Sequence, residues 1–134
     1  MPNSAPMLLT IVLLLGGCAS IGDFRLPGAL GGPKPGQPEL EKGIAHFEAG
    51  QFDDAIRLLK AADIADADAA TRVSARKYLA FSYCVTDRAR LCRRSFDALL
   101  RIDGSYRLTP AEAGHPTWGP VFVQARRSAE RRAN

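Results

Sequence analysis

The sequence predicts an all-α fold of two helical hairpins and a C-terminal capping helix, set behind an apolar N-terminal segment and a Gly/Pro-rich connector. Three observations lead there. From Glu39 onward apolar residues recur at i, i+4 and i+7, the period of an amphipathic helix. That pattern returns after 37 residues, which is the scale of a structural repeat. Glycine and proline crowd the stretch before it, where a helix could not persist. The 134 residues, 46% hydrophobic and 24% charged, leave room for one small domain. That length excludes a large catalytic α/β domain, and no apolar run approaches the roughly 20 residues a membrane-spanning helix needs.

Residues 1–17 hold no charged side chain, and Met7 to Leu15 is a run of nine apolar or small residues. This reads as a secretory signal, although only the terminal amine supplies positive charge before Met7. It is followed by Leu15-Gly16-Gly17-Cys18, a match to a lipobox. The Cys18 thiol is the group that takes a diacylglycerol, and the small residues before it let a lipoprotein signal peptidase accept the extended backbone. Cys18 would then open the mature chain, bearing a thioether-linked diacylglycerol and an N-acyl chain, the two or more chains that stable anchoring requires. The competing readings are an ordinary cleaved signal with an incidental cysteine, or an uncleaved, buried apolar segment. Ala19 after the cysteine, by resemblance to Gram-negative lipoproteins, implies sorting to the outer membrane with the protein facing the periplasm.

Residues 18–38 are read as a flexible tether. The 17 residues from Gly22 to Pro38 include five Gly and four Pro, a composition that can neither bury a core nor keep helical hydrogen bonds. A tether of this length reaches roughly 25 Å when flexible and about 65 Å when stretched.

The folded domain is expected over 39–134. Leu40, Ile44 and Phe47 mark a first helix, Ala49-Gly50-Gln51 a tight turn, and Phe52, Ala55, Ile56, Leu59 and Ala62 a second. After a 63–70 connection, Val73, Leu79, Ala80, Tyr83 and Cys84 mark a third helix, and Ala89, Cys92, Phe96, Leu99 and Leu100 a fourth. Gly43 superposes on Ala80, Ala55 on Cys92 and Leu59 on Phe96, each 37 residues apart. The layout resembles two tetratricopeptide repeats, with Gly43, Ala55 and Ala80 at the small positions where paired helices approach. It departs from that pattern at Cys92, Ala89 and Gly104, and the usual period of about 34 residues is stretched in the 63–70 loop. Such repeats bind proteins and peptides of many kinds, so the resemblance speaks to fold rather than chemistry.

Two repeats need a cap. Thr109-Pro110-Ala111-Glu112 has the Thr, first-turn Pro and Glu of a capping box, and Gly114-His115-Pro116 stops that turn. A last helix is expected from about Trp118, with Val121, Phe122, Ala125 and Ala129 on one face, and Trp118 and Phe122 plugging the open end of the second repeat.

Chemistry-bearing groups are sparse. His46 and His115 have no companion Cys, Asp or Glu at metal-ligand spacing, so no metal site is predicted. No phosphate-binding glycine loop or serine-nucleophile motif appears, and no catalytic residues are assigned. His46 is read as a packing residue, and His115 as fixing the route into the last helix or as a direct binding residue. Cys84 and Cys92 either bridge the third and fourth helices, if their Cα atoms lie within about 7 Å, or remain two buried thiols. A bridge closing so short a loop would add on the order of 2–3 kcal/mol.

Charge is unevenly divided. Residues 39–71 carry three basic and eight acidic side chains, net −5, whereas residues 72–134 carry 13 and five, net +8. The basic half suits anionic headgroups or an acidic partner surface, with Arg126, Arg127, Arg131 and Arg132 as its densest cluster. The export signal argues against nucleic acid. Because the first helices of such repeats line their groove, Lys77, Tyr78 and Phe81 are candidate partner contacts.

Lys77-Tyr78-Leu79-Ala80-Phe81-Ser82-Tyr83-Cys84-Val85, then Cys92-Arg93, then Leu108 to Phe122, which contains Ala113-Gly114-His115-Pro116-Thr117-Trp118-Gly119-Pro120-Val121-Phe122, resemble the TssQ-family lipoproteins associated with type VI secretion. The similarity covers the lipobox and essentially all of 39–125. The resemblance implies an outer-membrane lipoprotein accompanying a contractile secretion apparatus as an accessory factor rather than a catalyst. Its partner would be a protein of the secretion envelope complex, recognised by the groove and by His115, Trp118 and Phe122. Neither a small-molecule substrate nor any cofactor beyond the Cys18 lipid is implied. The competing reading is a general envelope assembly factor, pilotin-like or cell-wall-associated.

Overall fold

A computed structural model describes residues 31–63 and 65–134, and among them the chain forms six α-helices and no strand. The expected signal segment, Cys18 and the first part of the tether lie outside the described residues. Helices α1 (Gln37–Glu48) and α2 (Phe52–Ala62) pack on each other across a three-residue turn, as do α3 (Ala69–Val85) and α4 (Ala89–Ile102). A single helical turn, α5 (Pro110–Ala113), leads into α6 (Gly119–Ala133), which lies on α4.

The folded domain begins earlier than Glu39. Helix α1 starts at Gln37, with Pro38 in its first turn, where a missing N–H costs no intrahelical bond. Gly36 before it is buried, with the Ala62 carbonyl so close that a Cβ there would lie 2.5 Å from the oxygen. Lys34 reaches Asp68 at 2.9 Å, and the same carboxylate caps α3 by accepting from the Thr71 N–H at 2.8 Å. The Lys34 hydrogen bond, followed by that cap, holds the Asp68 carboxyl well below the usual carboxylate range. Proline content marked this stretch as tether, but two of its last residues are a helix start that proline tolerates.

Inside the pairs, small residues permit close approach. A Cβ on Gly43 of α1 would sit 2.8 Å from Leu59 Cγ on α2, so only glycine allows this spacing. Ala55, Leu59 and Ala62 on α2 are fully buried, as are Ala80 on α3 and Cys92, Phe96 and Leu99 on α4. The α3–α4 turn is clipped by a disulfide between Cys84 and Cys92, whose Cα atoms are 5.1 Å apart. Phe47, Tyr78 and Tyr83 pack against the buried residues of both halves and join them into one continuous core.

Candidate interaction site

Helix α3 presents Lys77, Tyr78 and Phe81 toward the segment that carries α5, and the chain's own C-terminal third meets them there. Thr109 caps α5 through its hydroxyl, which accepts from the Glu112 N–H at 3.3 Å, while Glu112 Oε2 accepts from the Thr109 N–H at 2.9 Å. This is the capping box the sequence predicts. It leaves Glu112 Oε1 free to accept from Lys77 Nζ at 2.7 Å, and the Glu112 carbonyl to accept from the Trp118 indole N–H at 2.8 Å. One glutamate therefore ties the cap of α5, the middle of α3 and the entry to α6.

Above that hub the aromatic rings form a column. Trp118 stacks on Phe81 with ring centroids 4.2 Å apart, and His115 stacks on Trp118 with centroids 3.3 Å apart. Phe47 of α1 packs within 6.5 Å of Trp118 and 5.3 Å of Tyr78. His115 Nδ1 accepts from the Thr117 N–H at 3.2 Å, which assigns the ring proton to Nε2 when the ring is neutral. Gly119 has to be glycine, because a Cβ would collide with the Ala113 carbonyl oxygen. Phe122 then inserts against Phe96 at 5.2 Å.

In this geometry the chain itself covers much of the expected binding surface. Phe81 is 2% exposed, Trp118 9% and Phe122 4%, so all three are core residues that the chain itself has covered. Tyr78 is half-buried between Phe47 and Phe81, and His115 is half-buried on Trp118. The Lys77 and Glu112 side chains are only 15% and 20% exposed and neutralise each other. Burial lowers the Lys77 pKa, but the Glu112 hydrogen bond and the electrostatic attraction of Tyr106, Tyr78 and Glu112 outweigh it, leaving Lys77 above its ordinary value. For Glu112 burial raises the pKa, and the Lys77 and Thr109 hydrogen bonds outweigh it, leaving the carboxyl below its ordinary value. Residues chosen as contacts for a foreign partner are thus satisfied within the chain. The expected role of Trp118 and Phe122 as a plug agrees with their burial.

His46 also turns inward to its own turn, with Nδ1 2.5 Å from Gln51 Oε1. The C-terminal arginines are less available than their density implies. Arg126 pairs with Glu130 at 2.6 Å, Arg132 approaches Asp97 at 3.9 Å, and Arg131 donates to Ser128 at 3.0 Å.

The open polar surface lies on the other flank of α3. A cleft of about 480 Å³ is bounded by α2, α3 and α4, with Lys60, Arg76, Arg94 and Arg101 along it and Ser95 buried in its lining. It continues past Arg76 and Arg101 into a hollow that also holds Arg72. Asp63, its side chain 4% exposed, pairs with both Arg72 and Arg76. Sequence reading passed over this cleft because the net charge of the basic half was weighed without helical phase. The signal was present: Leu91, Arg94, Ala98 and Arg101 are spaced i, i+3, i+7 and i+10, one face of α4. No protein-family model, characterised protein or solved structure matches the chain.

Proposed function

We propose that the protein is a lipid-anchored, non-catalytic adaptor of two tetratricopeptide-like hairpins that accompanies a type VI secretion envelope complex at the periplasmic face of the outer membrane. The observation that carries this reading is the fate of the segment on which the family resemblance is most specific. Ala113 to Phe122 is one structural device: Gly119 permits the close turn, His115 and Trp118 stack, and Phe122 anchors α6. A generic repeat cap demands none of these in combination. The repeat assignment is supported by burial at the superposed positions Gly43 and Ala80, Ala55 and Cys92, Leu59 and Phe96. In this reading residues 1–17 are the export signal, Cys18 carries the lipid, and the stretch up to about Lys34 is the tether. The membrane is reached through lipid, and a protein of the envelope complex is the partner.

The reading is tested by affinity capture of the tagged, lipidated protein from gently crosslinked envelopes, with Cys18→Ser as the untethered control. Enrichment of membrane-complex subunits of a contractile secretion apparatus, weakened in the control, is expected. Recovery of only outer-membrane assembly or cell-wall proteins would overturn the secretion assignment in favour of a general envelope factor.

A further inference from the structure

The cleft bounded by α2–α4 holds more positive charge than the fold uses. Among the described residues Lys60, Arg94 and Arg101 form no ion pair, although all three line the same recess. Arg76 shares the single Asp63 carboxylate with Arg72, so that pair of guanidiniums is only half neutralised. The buried Nε of Arg76 has no hydrogen-bond acceptor among the described residues, and that of Arg72 faces Asp63 Oδ1 at 3.5 Å. Asp97, the one carboxylate in the cleft lining, is paired with Arg93 at 3.2 Å and approached by Arg132 at 3.9 Å. Guanidinium groups present planar donor forks that match carboxylates in pairs, so the unspent groups favour an anionic ligand with carboxylates.

An apolar wall stands beside the cations. Leu91 is 39% exposed, one of two large hydrophobic side chains exposed to that degree among the described residues, and it lines the cleft with half-buried Tyr83. A free phosphate has no use for such a wall. A bilayer surface is flat and meets projecting side chains, whereas these cations line a recess. We infer that the cleft binds an acidic peptide segment of a partner protein, its carboxylates held by Lys60, Arg94 and Arg101 and an apolar side chain seated on Leu91 and Tyr83. The inference rests on the adaptor reading and names where and through what chemistry the partner docks.

The test uses the full chain in detergent micelles and a short fluorescent peptide of glutamates interrupted by leucines, read by anisotropy. Saturable binding that weakens with added salt is expected, because exposed charge pairs are screened. Arg94→Glu combined with Arg101→Glu should weaken binding by about tenfold or more, as removal of close interfacial charge pairs does. Arg94→Gln with Arg101→Gln should give a smaller loss in the same direction, and Leu91→Ser a loss that salt does not reproduce. Arg127→Glu, on the exposed surface of α6, should bind like the parent. Thermal melting of each variant separates lost binding from lost folding, and the milder Gln pair keeps the test intact if charge reversal impairs folding. Absence of saturable binding, equal loss in Arg127→Glu, or arginine-dependent binding of anionic phospholipid vesicles or inorganic phosphate without peptide binding would overturn the assignment. Failure here while envelope subunits are still captured removes the cleft as docking site and leaves the adaptor. Capture of no secretion subunit beside intact peptide binding removes the secretion role and leaves the cleft.

Discussion

Arg76 and Lys77 are neighbours in sequence and point about 100° apart around α3. Lys77 faces the C-terminal segment, where Glu112 meets it at 2.7 Å and Trp118, Phe81 and Phe47 close over the adjoining apolar surface. Arg76 faces the cleft, where it shares one carboxylate with Arg72 and lies among cations that have no ion-pair partner among the described residues. Both residues are basic and both sit mid-helix, so charge alone does not separate their roles. Helical phase does. The flank of α3 that a repeat fold offers as a groove is filled here by the molecule itself, and the flank left open is the one with spare charge.

The comparison breaks most visibly at Trp118. If the filled flank is core, Trp118→Ala should cost about 3–5 kcal/mol, the usual price of removing a large buried aromatic. A chemical-denaturation midpoint near that of the parent would mean that the indole is not an anchor. Next in size is the clip across the α3–α4 turn. Cys84→Ala with Cys92→Ala, or reduction under native conditions, should cost on the order of 2–3 kcal/mol. Because the bridge joins two of the three helices lining the cleft, the loss should appear in global unfolding curves of both variant and reduced protein.

A smaller effect attaches to the Lys77–Glu112 pair. Glu112→Gln should cost about 1–2 kcal/mol, since it leaves a partly buried ammonium with a neutral acceptor. The pH dependence follows from the directions of the two shifts. Glu112 is lowered in the folded state, so its contribution is complete above its ordinary value of 4.5 and is lost as the pH falls through the folded value. Lys77 is raised, so its contribution is complete below 10.5 and is lost as the pH rises through the folded value. The Gln variant should therefore lose less stability than the parent on acidification, measured by melting temperature across the acid range. The smallest effect belongs to the open flank. Arg94→Glu with Arg101→Glu should change stability by only about 0.5 kcal/mol, because solvated residues without partners contribute little to folding.

The helices and the capping box were legible because each has a local signature: apolar period, tight turn, and Thr109 with Glu112 three residues on. The role of Cys84 and Cys92 stayed open, since spacing permits a bridge without requiring one and only the Cα separation of 5.1 Å decides. Phe81 was assigned to a groove surface, and Trp118 and Phe122 both to a plug and to a binding surface, because residues on a groove-lining helix and residues of an internal plug look alike in one dimension. What distinguishes them is the return of the chain after Thr109, which places Trp118 4.2 Å from Phe81 across 37 residues of sequence. The onset of α1 was misplaced for a related reason. Proline in a helix's first turn has the composition of a linker, and only the contact of Gly36 with Ala62 reveals that the chain has already entered the fold.

Trp118 is the single tryptophan, which makes intrinsic fluorescence a report on one ring. Emission spectrum and acrylamide quenching of the native full chain test directly whether the C-terminal segment fills the flank of α3. A blue-shifted emission that acrylamide barely quenches, turning red and quenchable on denaturation, is the predicted result. Red-shifted emission freely quenched in the native protein would place Trp118 in solvent, leave the groove of α3 open, and contradict the account.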